Sequence, residues 1–217
     1  MSAFETRAYP FILGLTGSIG MGKSAVAAML RELGVPVFDA DAAVHELQGS
    51  NGACLAPIER AFPGTTGPLG VDRQKLGAAV FGDPAKLKLL EAIVHPEVAE
   101  MRGGFLADHA SAPLIVFDIP LLFEKTGQHG LNAVAVVSAP APLQRERVLA
   151  RPGMTTKKFE RILALQVPDA DKRARADFVI DTGVPLAQTR AQVAALVAHL
   201  RENGLWPPLP VAPQGSI

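Results

Sequence analysis

Short apolar runs alternate with amphipathic stretches along most of the chain. The first run, Phe11-Ile12-Leu13-Gly14-Leu15, ends at a glycine cluster and predicts a strand buried on both faces. After Lys23, the apolar residues Val26, Leu30 and Leu33 recur at helical spacing, and Gly34 supplies a C-terminal stop. Val35-Pro36-Val37-Phe38 predicts a second strand, followed by Asp39-Ala40-Asp41. Strand, glycine loop, helix and strand in this order open an α/β domain.

Residues 42–113 have a different texture. Leu76-Gly77-Ala78-Ala79-Val80-Phe81 and then Leu87, Leu90 and Val94 predict helices separated by Gly and Pro clusters. Pro96 is expected in the first turn of a further helix running to about Asp108. Strand texture returns at Leu114-Ile115-Val116-Phe117-Asp118, at Ala133-Val134-Ala135-Val136-Val137 and at Phe178-Val179-Ile180. A charged helical region over 143–166 is interrupted by Pro152-Gly153, and a closing helix over 186–200 is expected to end near Gly204. The pattern predicts a core of residues 1–41 and 114–204, with a five-stranded parallel sheet. A helical insertion occupies 42–113, and a proline-rich tail, expected to be loosely ordered, occupies 205–217.

The 217 residues are enough to bury a sizeable core without disulfide staples. The single cysteine, Cys54, reads as a small hydrophobe. The 21 basic and 21 acidic residues balance, which argues against a nucleic-acid or membrane-surface binder while leaving room for a local phosphate pocket. No apolar run approaches the roughly 20 residues of a membrane span, and the start lacks the apolar segment of a signal peptide. A cytoplasmic location is the expectation.

Candidate chemistry begins at Gly17-Ser18-Ile19-Gly20-Met21-Gly22-Lys23-Ser24, which fits the phosphate-binding pattern GxxxxGK[ST] in full. Glycines let several N–H groups turn toward one anion, and the helix opening near Lys23 points its positive end at the same place. Lys23 supplies a full charge for β- and γ-phosphates, and the Ser24 hydroxyl can ligate Mg²⁺. Gly17, Gly20, Met21, Gly22, Lys23 and Ser24, with the adjoining Ala25, are therefore the candidate phosphate-binding residues. The motif follows a predicted strand and opens a predicted helix, which is the context it requires.

Asp39 and Asp41 follow the second strand, where ligands of open α/β sheets gather. A carboxylate there could take a proton from an attacking hydroxyl or hold Mg²⁺ through water; equally, Asp is a good helix N-cap. Asp118, ending another apolar strand, suits either a metal ligand or a turn. Gln144, Arg147 and Arg151 share one helix face at i, i+3 and i+7. Clustered guanidinium groups suit phosphate oxygens. Alone, such a charge run reads as a solvated face; the glycine loop upstream makes the region over 143–166 read as a closing lid.

Together these residues resemble the dephospho-coenzyme A kinase family. The resemblance spans about 11–183 and is carried by the segment from Gly14 to Ser24, by Asp39-Ala40-Asp41, Asp72-Arg73, His95-Pro96 and Pro120-Leu121-Leu122-Phe123-Glu124, and by Gln144 with Arg147 and Arg151. Gln166, Lys172 and Ala176-Asp177-Phe178-Val179-Ile180-Asp181 complete it. It implies a three-layer P-loop kinase fold with a helical acceptor-binding insertion and a helical lid. It also implies ATP with Mg²⁺ as reactants and dephospho-coenzyme A as acceptor. By motif position, Asp41 would be the base for the ribose 3′-hydroxyl, and Asp39 would support it or the metal. Lys23 and Arg147 would serve catalysis, and Arg147 and Arg151 the nucleotide. Ser24 and Asp118 would hold the metal. Arg73, His95, Pro120, Leu121, Leu122 and Glu124 would line the acceptor site.

The chain departs from the family pattern at three places. Ala25 stands where Thr is usual, Met21 where a small residue is common, and Thr182 where Asn is common. Met21 is expected to shift the loop by its bulk. The nearest rival is a kinase for another nucleotide or small alcohol. A nucleotide-dependent switch is a rival of a different class, but no Asn-Lys-x-Asp guanine-reading motif is present. A monomer or small homo-oligomer is expected, with neither nucleic acid nor membrane as partner.

Overall fold

The computed structural model describes residues 10–126 and 130–202. Its elements run β1 (Phe11–Thr16), α1 (Lys23–Glu32), β2 (Val37–Asp39), α2 (Ala40–Leu47), α3 (Leu55–Ala61), β3 (Thr66–Gly67), β4 (Gly70–Val71), α4 (Arg73–Val80) and α5 (Pro84–Asp108). They continue with β5 (Leu114–Asp118), a π-helical turn (Leu122–Thr126), β6 (Ala133–Ser138), α6 (Ala141–Leu149), α7 (Thr156–Ala164), α8 (Asp169–Ala174), β7 (Phe178–Asp181) and α9 (Leu186–Glu202). The chain divides into two compact units, Met1–Phe38 with Ala110–Ile217, and Asp39–His109.

In the first unit a five-stranded parallel sheet has the order β2-β5-β1-β6-β7. β1 lies centrally, Leu15 pairing with Asp118 on one side and with Ala135 on the other. Every residue of β5 and β6 is buried, the expected state of parallel strands covered on both faces. Val26 and Leu30 of α1 and Val193 and Val197 of α9 join Leu13, Leu15, Ala135, Val137 and Ile180 in one core. That core makes the sheet a rigid platform under the loop between β1 and α1. All five expected strands are present, with boundaries differing by one or two residues.

The second unit is helical around Leu47, Cys54, Ile58, Phe62, Leu76 and Val94, with a two-stranded antiparallel hairpin of β3 and β4. Cys54 is fully buried, and burial, followed by the nearby Glu97, pushes its thiol pKa up. This matches the reading of Cys54 as a hydrophobe. One expectation is overturned: Pro96 does not begin a helix but lies inside the 25-residue α5. The helix starts instead at Pro84, whose neighbour Asp83 accepts from the N–H groups of Ala85 and Lys86 at 3.0 and 3.1 Å. Pro96 removes the hydrogen bond to Ala92, but both residues are exposed, so water can serve that carbonyl. The hairpin, the π-helical turn, α3 and α8 are too short to leave a periodic signal. Gly204 and the proline-rich tail lie outside the described residues.

Candidate functional site

The site of the first unit grows from the end of β1. Thr16 is fully buried and its hydroxyl donates to the Pro120 carbonyl at 3.3 Å, tying the loop entrance to the segment after β5. Gly22 (φ 87°) forms the left-handed N-cap of α1, and Gly20 (φ 79°) makes a second left-handed turn. A side chain at Gly20 would meet Val148 Cγ2 at 2.4 Å, so α6 lies directly against the loop. These two turns rotate successive N–H groups toward one side.

Not every N–H of the motif is free for a ligand. Met21 donates to Ser18 O at 3.1 Å, Ala25 to Gly22 O at 3.0 Å, and Ile19 to the Gln166 side chain at 3.0 Å. Among the described residues, the N–H groups of Gly20, Gly22, Lys23 and Ser24 have no protein acceptor. The last two open α1, where the helix dipole favours an anion. Lys23 Nζ lies 2.5 Å from Asp118 Oδ1, with the Asp118 side chain only 3 % exposed. Ser24 is exposed on the first turn of α1, while the Ser18 hydroxyl is buried without a hydrogen-bond partner among the described residues. Met21 sits in the loop, but its side chain belongs to the core and its sulfur accepts from Ala139 N–H at 3.1 Å. The core absorbs the bulk of the thioether.

Arg147 on α6 donates to the hydroxyl of Thr182 at 3.2 Å and to its carbonyl at 2.7 Å. That hydroxyl in turn donates to Met21 O at 2.6 Å, so Arg147, Thr182 and the loop form one chain of contacts. Arg151 is exposed in the turn after α6. Lys172 is completely buried and pairs with Glu124 at 2.7 Å; the same carboxylate oxygen accepts from Val167 N–H at 3.0 Å. Leu122 is buried in this unit, whereas Pro120 and Leu121 are half-buried. A groove of about 610 Å³ beside the Met21–Ala139 contact is lined by Ser138, Pro140, Gln144, Asp169 and Arg173, and touches none of Lys23, Ser24 or Asp118.

The remaining candidates belong to the second unit. Asp39 caps α2, accepting from Ala42 N–H at 3.0 Å, and Asp41 is exposed in the first turn of that helix. Arg73 opens α4 and its guanidinium contacts His45 Nδ1. His95 is exposed on α5. Gln166, Lys172 and Thr182 carry contacts in the site that no spacing rule assigned, and the helix-face spacing that singled out Gln144 did not give its partner, Ile19. They are single polar residues whose partners lie far away in the chain; the family pattern had marked Gln166 and Lys172, and Thr182 had stood out only as a departure from it. Among the described residues no group of three or more His, Cys, Asp or Glu side chains is placed to hold a metal.

The site's chemistry is thus an anion cradle of backbone N–H groups, one lysine, one buried carboxylate and an exposed hydroxyl. A family model described as dephospho-CoA kinase matches residues 11–187. A dephospho-CoA kinase of Novosphingobium aromaticivorans is 70% identical over 194 residues, covering 89% of this chain and 96% of that protein. One from Mesorhizobium japonicum is 56% identical over 192 residues, covering 88% and 96%. A crystallised protein of Thermus thermophilus superimposes with a TM-score of 0.78 at 38% identity, covering 88% of this chain and 98% of that one. A Campylobacter jejuni dephospho-CoA kinase shares the fold, with a TM-score of 0.59 at 24% identity over 87% and 96%.

Proposed function

Because the chain belongs to the dephospho-CoA kinase family, we propose that its phosphate loop binds ATP for transfer of the γ-phosphoryl group to dephospho-CoA. The activity is ATP-dependent phosphorylation of dephospho-CoA, at the ribose 3′-hydroxyl, giving CoA and ADP in the final step of CoA biosynthesis. The observation that carries the reading is the loop itself: among the described residues the N–H groups of Gly20, Gly22, Lys23 and Ser24 meet no protein acceptor, and Lys23 and Ser24 open α1.

Phosphoryl transfer asks a protein chiefly for positioning and charge stabilisation. Gly20, Gly22, Lys23 and Ser24 would cradle the β- and γ-phosphates, with the Lys23 ammonium turning from Asp118 to the nucleotide. Ser24 and Asp118 fit Mg²⁺, a hard cation commonly held by one or two protein oxygens together with phosphates and water. When bound, the ion would neutralise charge between the β- and γ-oxygens. Arg147 and Arg151 would face the nucleotide from the lid.

For the acceptor, the family pattern supports Asp41 as the group that orients or deprotonates the hydroxyl, with Asp39, Arg73, His95, Pro120, Leu121, Leu122 and Glu124 as contacts. The Asp39 cap sets the first turn of α2, and with it the Asp41 carboxylate. Glu124 is braced by Lys172 and would act chiefly by shaping the segment after β5. No described helix is long and apolar enough to cross a membrane. We place the enzyme in the cytoplasm as a monomer or small homo-oligomer.

The test is ADP formation from MgATP with and without dephospho-CoA, the product identified by mass. Acceptor-dependent turnover yielding CoA is expected. A folded, ATP-binding protein that dephospho-CoA does not stimulate would overturn the assignment.

A further inference from the structure

We infer that Gln144 and Gln166 are positioning residues that lock the phosphate loop from the two roots of the lid. Both grip one residue, Ile19, and they do so with opposite polarity. The Gln144 amide donates to Ile19 O at 2.8 Å, and the Gln166 carbonyl accepts from Ile19 N–H at 3.0 Å. Gln144 lies one turn into α6 and Gln166 follows α7, so the segment between them leaves the loop and returns to the same residue.

The surroundings make this grip firm. Gln144 is 4 % exposed. Its own carbonyl and Val148 crowd Gly20, the next residue of the loop. On the other side, Val167 N–H is held by Glu124, which itself pairs with buried Lys172, so the chain just after Gln166 is anchored as well. Within the segment, α6 and α7 are linked by Arg145, which reaches Thr156 Oγ1 at 3.4 Å and Glu160 at 3.7 Å.

The consequence for binding is specific. Ile19 N–H is occupied and does not serve as an anion donor, while the peptide plane that leads into Gly20 is fixed through its carbonyl. The free N–H groups of Gly20, Gly22, Lys23 and Ser24 are thereby presented already oriented, which lowers the ordering cost of binding a polyphosphate. Movement of the lid is transmitted to the loop through these two side chains.

The inference rests on the reading that the loop binds ATP, so its test measures nucleotide affinity directly, by calorimetry with ATP and no acceptor, beside steady-state kinetics. Gln144→Met and Gln166→Met each remove one hydrogen bond without adding charge. Each is expected to weaken ATP binding about tenfold, raising KM more than it lowers kcat. Gln144→Glu and Gln166→Glu add the same charge at the two roots. The carboxylate still accepts from Ile19 N–H in Gln166→Glu but opposes Ile19 O in Gln144→Glu. The second is expected to bind ATP about tenfold more weakly than the first. Wild-type affinity in the folded Met variants, or equal affinities in the two Glu variants, would overturn the inference. Failure of the acceptor to stimulate turnover, with these affinities as expected, would instead count against the proposed function alone.

Discussion

Lys23 and Asp118 form an ion pair at 2.5 Å between the start of α1 and the end of β5, residues brought together because β5 runs parallel beside β1. The pair occupies the lysine that a triphosphate would otherwise meet, at a carboxylate almost closed to water. Under the proposed function, a bound nucleotide would take Asp118's place at Lys23, leaving the Asp118 carboxylate available to a cation.

Removing either partner has a distinct signature. Lys23→Ala is expected to lower kcat/KM at least about a hundredfold, because a charge placed on the transferred phosphate is lost. Asp118→Asn should lose turnover on the same scale while retaining nucleotide binding measured without metal, since Lys23 is then released for phosphate. Wild-type turnover in either folded variant would discredit the pair's role, and parallel calorimetry with and without Mg²⁺ separates the two effects.

Thr182 departs from the usual family residue, yet its hydroxyl is central to the loop's support. Thr182→Val keeps the shape but leaves Met21 O without its 2.6 Å donor and Arg147 without one of its two acceptors. We expect a stability loss of about 1–3 kcal/mol, from a buried carbonyl left unsatisfied, and a several-fold higher KM for ATP. Thr182→Ser should restore both. Denaturant unfolding and ATP titration of the two variants check this.

The buried Lys172–Glu124 pair predicts an asymmetry in stability. Lys172→Met leaves the buried Glu124 carboxylate with the Val167 N–H as its one partner among the described residues and should cost about 3–5 kcal/mol. The double variant Lys172→Met with Glu124→Gln removes both charges and should regain a measurable part of that loss. Urea midpoints of the single and double variants decide it; a double variant no more stable than the single one contradicts the expectation.

A pH effect is expected in the second unit. Glu59 accepts from Gly64 N–H at 2.7 Å, from the Thr66 hydroxyl at 2.7 Å and from Thr66 N–H at 3.1 Å. The Gly64 contact, followed by the Thr66 hydroxyl, holds its pKa below the usual carboxylate value. A lowered folded pKa means that the stabilisation is complete above the unfolded value, about 4.3. It is lost as pH falls through the lower, folded value. Carbon-13 titration of the Glu59 carboxyl should show the depressed pKa, and Glu59→Gln should flatten the acid limb of the stability profile.

The sheet was legible in the sequence because parallel strands buried on both faces leave uninterrupted apolar runs, such as Ile115-Val116-Phe117. The phosphate loop was legible because its glycines and Lys23 are contiguous. α5 was misread at Pro96, since a proline inside a helix is tolerated where the carbonyl it frees is exposed, and exposure is a tertiary property. The N-cap reading of Asp39 and its reading as a support for Asp41 were both open in the sequence. The cap is present, with Asp41 two residues beyond it in the first turn of α2.

Strand order of appearance, the anion-binding loop, the family and its reaction follow from local composition and contiguous motifs, because hydrophobic period and turn chemistry act over a few residues. Which N–H groups meet no acceptor among the described residues, what Lys23 touches and how the segment over 143–166 is anchored depend on contacts over 95, 125 and 147 residues of chain. Such partners are chosen by packing of the sheet and helices, and a polar side chain reads the same in sequence whether or not that packing brings it a partner.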